Sequence, residues 1–124
     1  MTPRDYLLAP HRAEAVTRGR LDVLRCLDAA AALGVPAPGV DLERADATDA
    51  RAAVAAAVSS VALTLIDLEQ DEKAASKHQS RNHDLNARKA ASAFAELYGA
   101  LAGALRASAR LARLDLADPS ETPP

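Results

Sequence analysis

The sequence predicts an all-α fold: an antiparallel bundle of three long helices with a short helical segment before them. Alanine supplies 31 of the 124 residues and leucine 17, whereas β-branched residues are few. Apolar residues recur at helical spacing, and no stretch alternates apolar with polar residues over the length of a strand. Because large apolar side chains are scarce, the core of one chain is thin, and we expect oligomerisation to complete the bundle.

The short helix is predicted over residues 3–9. Thr2 is suited to cap its N-terminus, Pro3 to occupy the first helical position, and Asp5 to complete a capping box. Pro10 then breaks or kinks the chain, because a proline disfavours helical geometry at the residue before it. These signals separate the short helix from the first long one.

The first long helix is predicted over about 10–33, ended by Gly34 and the proline-rich connection that follows. Arg20 interrupts its apolar side. The arginine stem then packs in the seam while the guanidinium reaches the surface or a carboxylate; alternatively, it forms an anion site or an interface salt bridge. The residues expected to be buried are Ala13, Val16, Val23, Leu24, Leu27, Ala30 and Ala31.

The second long helix follows several acids, and its candidate caps are Asp46, with Asp49 three residues later, and Thr48. Its apolar positions form a coiled-coil-like seam, whereas Leu63 and Ile66 point away from it. Because residues 52–66 carry no charge on any side, part of this helix is expected to face a second subunit, unless its alanines are simply exposed to water. The seam consists of Ala47, Val54, Val58, Val61, Leu65 and Leu68.

Residues 69–84 are highly polar and are predicted to form the tip of a helical hairpin, with a mobile loop as the alternative. If the segment is a hairpin tip, the second long helix reaches about Lys77, and the third long helix runs over about 84–115. The third helix is strongly amphipathic. Residues 117–124 are predicted to be a disordered tail after a single domain of residues 1–116. The apolar side of the third helix comprises Phe94, Leu97, Tyr98, Leu101, Leu105, Leu111 and Ala112.

Charge is segregated along the chain, although its net value is only −2. Residues 41–72 carry eight acids and two arginines, and residues 73–113 carry eight basic residues and two acids. We therefore expect the second and third long helices to attract each other as neighbours. The excess of arginine over lysine is typical of a high-GC coding sequence, and the net charge argues against a generally basic nucleic-acid binder.

Two surfaces of the third helix are candidates for partner binding. Gly99, Gly103 and Ala107 form a stripe of small residues on its polar side, where each glycine costs about 1 kcal/mol relative to alanine. With Leu63 and Ile66 of the second helix, they are the interface candidates. A basic stripe could instead contact nucleic-acid phosphates, although no aromatic residue accompanies it for base stacking. That stripe comprises Arg88, Lys89, Arg106, Arg110 and Arg113.

No residue pattern indicates catalysis, a cofactor or a metal. His78 and His83 are five residues apart, which places them on different sides of a helix, and Asp84 adds no suitable spacing. His11 and Glu14 have helical spacing but lack the inward-facing carboxylates of a di-metal bundle. Cys26 has no histidine in register that would activate it, and no glycine-rich phosphate loop is present.

The sequence therefore predicts a cytoplasmic, non-enzymatic interaction protein. The single cysteine suits a reducing compartment, the N-terminus lacks a signal-peptide pattern, and the 15-residue uncharged run is too short to span a bilayer. The leading hypothesis is a homo-oligomeric helical bundle that acts as an assembly, adaptor or accessory subunit. The alternatives are a small helical subunit of a nucleoprotein complex and an unrecognised enzyme. No family resemblance in the sequence carries a function.

Overall fold

The computed structural model describes residues 1–37, 41–44, 49–81, 85–114 and 116. Its four helices are α1 (Pro3–Leu8), α2 (Glu14–Ala32), α3 (Ala50–Arg81) and α4 (Leu85–Leu111). The described residues contain no strand, and α3 and α4 form a long hairpin on which α1 and α2 pack. The predicted all-α bundle with a short N-terminal helix is therefore confirmed. The predicted tail at 117–124 lies outside the described residues.

The N-terminus of α1 has the predicted capping box. The Thr2 hydroxyl accepts from the Asp5 backbone N–H at 3.0 Å, and the Asp5 carboxylate accepts from the Thr2 N–H at 3.2 Å. The bond from the Thr2 N–H to the carboxylate, together with a bond from the Thr2 side chain, lowers the pKa of Asp5. Arg4 joins α1 to its neighbours by pairing with Asp28 at 2.9 Å and with Glu43. Both partners raise the pKa of Arg4, so the charge that ties α1 to α2 is permanent.

Helix α2 begins at Glu14, so the predicted start at residue 10 is wrong. After Pro10, His11 closes a local turn: the Thr17 hydroxyl accepts from the His11 N–H and donates to its carbonyl. These bonds hold the chain in a non-helical path, which the sequence pattern does not show. The predicted stop at Gly34 is confirmed, with φ of 84° and a bond from the Val35 N–H to the Ala30 carbonyl, as in a Schellman motif.

Arg20 connects α2 to the C-terminal end of α1. Its guanidinium carbon lies 4.4 Å from the centroid of the Tyr6 ring, and Nη1 donates to the Ala9 carbonyl at 3.1 Å. Nη2 is 3.4 Å from the Tyr6 hydroxyl, whereas the buried Nε has no partner among the described residues. The guanidinium thus binds a carbonyl and a ring, and the expected carboxylate partner is not there among the described residues.

Replacing Arg20 with alanine is expected to lower the free energy of unfolding by about 1–3 kcal/mol, because a charge-assisted bond and a cation–π contact are lost together. Chemical denaturation followed by circular dichroism measures this. Arg25→Ala is the matched control, since Arg25 is exposed and contacts only Asp22 within the helix. We expect a change below about 0.5 kcal/mol there. Equal effects of the two substitutions would contradict a structural role for the Arg20 contacts.

The core lies between the hairpin and the two shorter helices. The predicted seam on α3 is buried from Val54 to Leu65, whereas Leu68 is only partly buried and Ala47 lies outside the described residues. Asp49 caps this helix, because its carboxylate accepts from the Ala52 N–H at 3.1 Å. On α2, Gly19 is buried and Ala31 is exposed, so the expectation that Ala31 lies in the core is wrong.

Helix α4 ends at Leu111, four residues earlier than predicted. Arg113 adopts a positive φ of 58°, and the Leu114 N–H bonds to the Ala109 carbonyl. This is the same Schellman stop as at Gly34, with arginine in the position that glycine usually takes. Arg51 donates to the Arg113 carbonyl at 2.7 Å, which secures the turn against the start of α3.

Helices flank residues 82–84, as predicted for the polar segment, since α4 begins at Leu85 and α3 continues to Arg81, four residues past the predicted end at Lys77. The core cluster ends at Leu65 and Ala102, so the outer half of the hairpin extends past it. By length and composition alone, the Ala50–Lys77 segment could cross a membrane. The uncharged run within it, residues 52–66, is shorter than the segment. Core helices of soluble proteins pass the same test, and a third of the segment's apolar window is buried.

Candidate interaction surfaces

The apolar side of α4 is only half covered. Leu105 and Ala112 are buried, whereas Phe94, Leu97 and Leu111 are 46%, 44% and 52% exposed. From Gly19, which lies against the C-terminal end of α4, α2 continues for only about 20 Å at 1.5 Å per residue. The longer α4 therefore presents Phe94 and Leu97 beyond the reach of α2, whereas Leu111 lies beside Gly19 and is exposed on the side away from α2. Phe94 stacks on Tyr98 in this uncovered part, with ring centroids 6.0 Å apart.

The outer side of α3 is the second uncovered surface. Its uncharged stretch is buried on the side that faces the core, but Ala52, Ala56 and Leu63 are exposed, with Leu63 at 49%. Ile66, which the sequence grouped with Leu63, packs partly buried against the core instead. A helix that is uncharged on all sides is usually buried on all sides, whereas this side of α3 is uncovered in the single chain.

The three helical glycines have different surroundings. At Gly19, an added Cβ would lie 2.6 Å from the Ala112 backbone nitrogen, so this buried glycine allows α2 to approach α4. At Gly99, a Cβ would overlap the Glu69 carboxylate of α3, the end of a flexible side chain that can move aside. At Gly103 nothing lies within 4 Å. Ala107 lies one turn further along and is partly buried.

The basic residues of α4 do not form one surface. Arg88 and Lys89 are about 26–33 Å from Arg106 and Arg110 along the helix, at 1.5 Å per residue. Arg113 lies beyond the end of α4, in the turn. The described part of the chain shows no ion pair between α3 and α4, and Lys73 pairs with Glu69 within α3 at 3.9 Å. The predicted attraction between α3 and α4 therefore does not take the form of ion pairs between their described residues.

The ionisable and nucleophilic groups do not converge. Burial raises the pKa of the half-buried Cys26 thiol, and the nearby Asp22 carboxylate adds to this, so the thiolate is disfavoured. His11 Nδ1 accepts from the Ala13 N–H at 3.0 Å. Within the described ranges, no three potential metal ligands cluster. The side chain of His78, together with His83 and Asp84, lies outside the described residues.

A groove lies between α3 and α4, beyond the core. Its lining includes Glu69, Lys73, Lys77, Ser92 and Glu96. The lining is mixed in charge, and one acid–base pair within it, Glu69 with Lys73, already forms along α3. The groove therefore has the character of a solvated space between two helices.

Comparison of the chain with protein-family models, curated proteins and solved structures gives no match. The functional argument therefore rests on the surfaces. The sequence identified Gly103, Ala107 and Leu63 as surface positions, but it placed Phe94, Leu97 and Leu111 on the core side. The short length of α2 relative to the hairpin was the available signal that this side would be incompletely covered.

Proposed function

We propose that this chain is a non-enzymatic interaction protein: a homo-oligomeric helical bundle that serves as an assembly, adaptor or accessory subunit. The observation that carries the proposal is the uncovered apolar surface on both helices of the hairpin. Leu63 on α3 and Leu97 and Leu111 on α4 are each at least 44% exposed. Exposed apolar surface that continues over several helical turns is characteristic of sites where proteins associate.

The hairpin geometry supports this function. Helices α3 and α4 have 32 and 27 residues, whereas α2 has 19, so the hairpin offers a long two-helix surface that its own chain does not cover. Helix surfaces of this type bind other helices through side chains at positions three and four residues apart. A cytoplasmic location would suit this role and forms part of the proposal.

Light scattering combined with size exclusion tests the proposal. We expect wild type to have a mass of at least twice the 12.9 kDa of the single chain, and the mass to fall on dilution. Leu85→Ser is the matched control: it removes a 49% exposed leucine at the hairpin tip, and the mass should not change. A wild-type protein that stays monomeric at about 0.5 mM would refute self-association. A mass lost in Leu85→Ser would instead indicate unspecific apolar aggregation.

A further inference from the structure

We propose that α4 of a second copy of this chain packs antiparallel across the outer face of α4, with the two-fold axis beside Gly103. The inference rests on the self-association proposed above and specifies its interface. The outer face is the exposed side of α4 opposite the core, and its Glu96 edge borders the groove between α3 and α4. Its defining residues are Glu96, Leu97, Ala100, Gly103, Ala107 and Arg110, of which five are exposed and Ala107 is partly buried.

The apolar positions of the outer face have the spacing of a coiled-coil seam. Leu97, Ala100, Ala104, Ala107 and Leu111 follow one another at intervals of three, four, three and four residues. The two leucines, 14 residues or two heptads apart, lie on the same side of the helix, 44% and 52% exposed. No charged residue occupies any of these five positions, so the seam is suited to another helix.

The charges beside the seam favour a second copy over an unrelated helix. Glu96 and Arg110 border the same edge of the seam, two heptads apart, and both are exposed. About 21 Å separates them along one helix, at 1.5 Å per residue, so they cannot pair within a chain. Neither makes an ion pair with another residue that the structure describes.

An antiparallel arrangement satisfies both charges at once. Gly103 is seven residues after Glu96 and seven before Arg110, so a two-fold axis at Gly103 places each Glu96 beside the partner's Arg110. The interface then contains two equivalent ion pairs. A parallel arrangement in the same register would place Glu96 beside Glu96 and Arg110 beside Arg110. The opposite signs therefore determine the orientation.

The sizes of the side chains fit the same register. In an antiparallel coiled coil, the flanking positions pair two residues out of step with the seam positions, so the dimer that joins Glu96 to Arg110 places Leu97 opposite the partner's Ala107 and Ala100 opposite the partner's Ala104. Each leucine thus meets an alanine, and the centre of the seam is small on both sides. At the axis, Gly103 meets its own copy, and nothing within its own chain lies within 4 Å of the Cβ position. A glycine that has no packing use inside the chain thereby allows the two backbones to approach closely.

Residues 117–124 are poorly suited to cover this face. The sequence that follows the last described residue, 117–124, contains alanine as its only apolar residue apart from prolines. It therefore lacks the side chains that would fill a seam between Leu97 and Leu111. The charges and the side-chain sizes therefore both favour a second copy of this chain as the occupant of the outer face.

Charge reversal tests the proposed register. We expect Glu96→Arg and Arg110→Glu each to weaken the dimer about tenfold or more in sedimentation equilibrium, because two attractive pairs become repulsive. The double variant should return to within about threefold of the wild-type dissociation constant. This recovery of dimer affinity can only come from contacts between chains, since positions 96 and 110 are too far apart to interact within one chain. Arg106→Glu is the matched control, with the same charge change on α4 but outside the seam, and should differ little from wild type.

Crosslinking provides a second test that does not depend on charge. In a Cys26→Ser background, Ala104→Cys, which leaves Gly103 in place, should be crosslinked between chains by a short bis-maleimide, and Leu63→Cys on α3 should not. Circular dichroism of each variant verifies the fold.

Oligomers that are insensitive to the single reversals, or not restored by the double one, would overturn the register and leave self-association intact. Crosslinking at Leu63→Cys alone would overturn it and move the interface to α3. A monomeric wild type would refute both proposals.

Discussion

Gly19→Ala is expected to lower the free energy of unfolding by about 1–3 kcal/mol, even though alanine is the better helix former. The new methyl group would lie 2.6 Å from the Ala112 nitrogen and 2.8 Å from the Leu111 Cβ. These atoms belong to the last turn of α4, which the Arg113 stop and the Arg51 bond hold in place. Helices α2 and α4 would therefore have to separate.

Gly103→Ala is the control for this prediction and should have the opposite sign. Its Cβ would enter open space, so the helix propensity of alanine should raise the stability by about 0.5–1 kcal/mol. Urea denaturation at a protein concentration that favours the monomer measures both variants. A stabilising Gly19→Ala would show that α2 does not approach α4 as closely as described.

Leu65→Ala is expected to have the largest effect of the substitutions considered, a loss of about 2–5 kcal/mol. Leu65 is completely buried at the end of the core cluster, where it contributes to packing among the helices. Deleting its side chain removes apolar contacts and leaves a cavity that a core built largely of alanine has few large side chains to fill. Such a loss is a large fraction of the about 5–15 kcal/mol that stabilises a typical domain.

Leu63→Ala, two residues away on the same helix, provides the comparison. Because Leu63 is 49% exposed, the free energy of unfolding of the monomer should change by less than about 1 kcal/mol. Thermal and urea unfolding of both variants, with unchanged helicity as a condition, measure the difference. Comparable losses at the two positions would mean that α3 is rotated about its axis relative to the described packing.

Local signals predicted much of the secondary structure correctly. Thr2, Pro3 and Asp5 act within a single turn, and Gly34 needs only its own backbone freedom to stop α2. The seam from Val54 to Leu65 was also predictable, because its spacing requires one buried side whatever helix covers it. The end of α4 was not, since Arg113 carries no local preference for a positive φ. Packing and hydrogen bonds from neighbouring segments hold it there.

The sequence by itself determined that this protein is helical, where most of its helices begin and end, and which side of each helix is apolar. Only the tertiary structure decided which of those apolar sides are covered, because coverage depends on the relative lengths and positions of helices that are distant in sequence. Leu105 and Leu111 both belong to the apolar side of α4 that the sequence predicts, yet the first is buried and the second is half exposed. Likewise, Gly19, Gly99 and Gly103 are equivalent as residues, and only their neighbours in space distinguish a tight contact from an open surface.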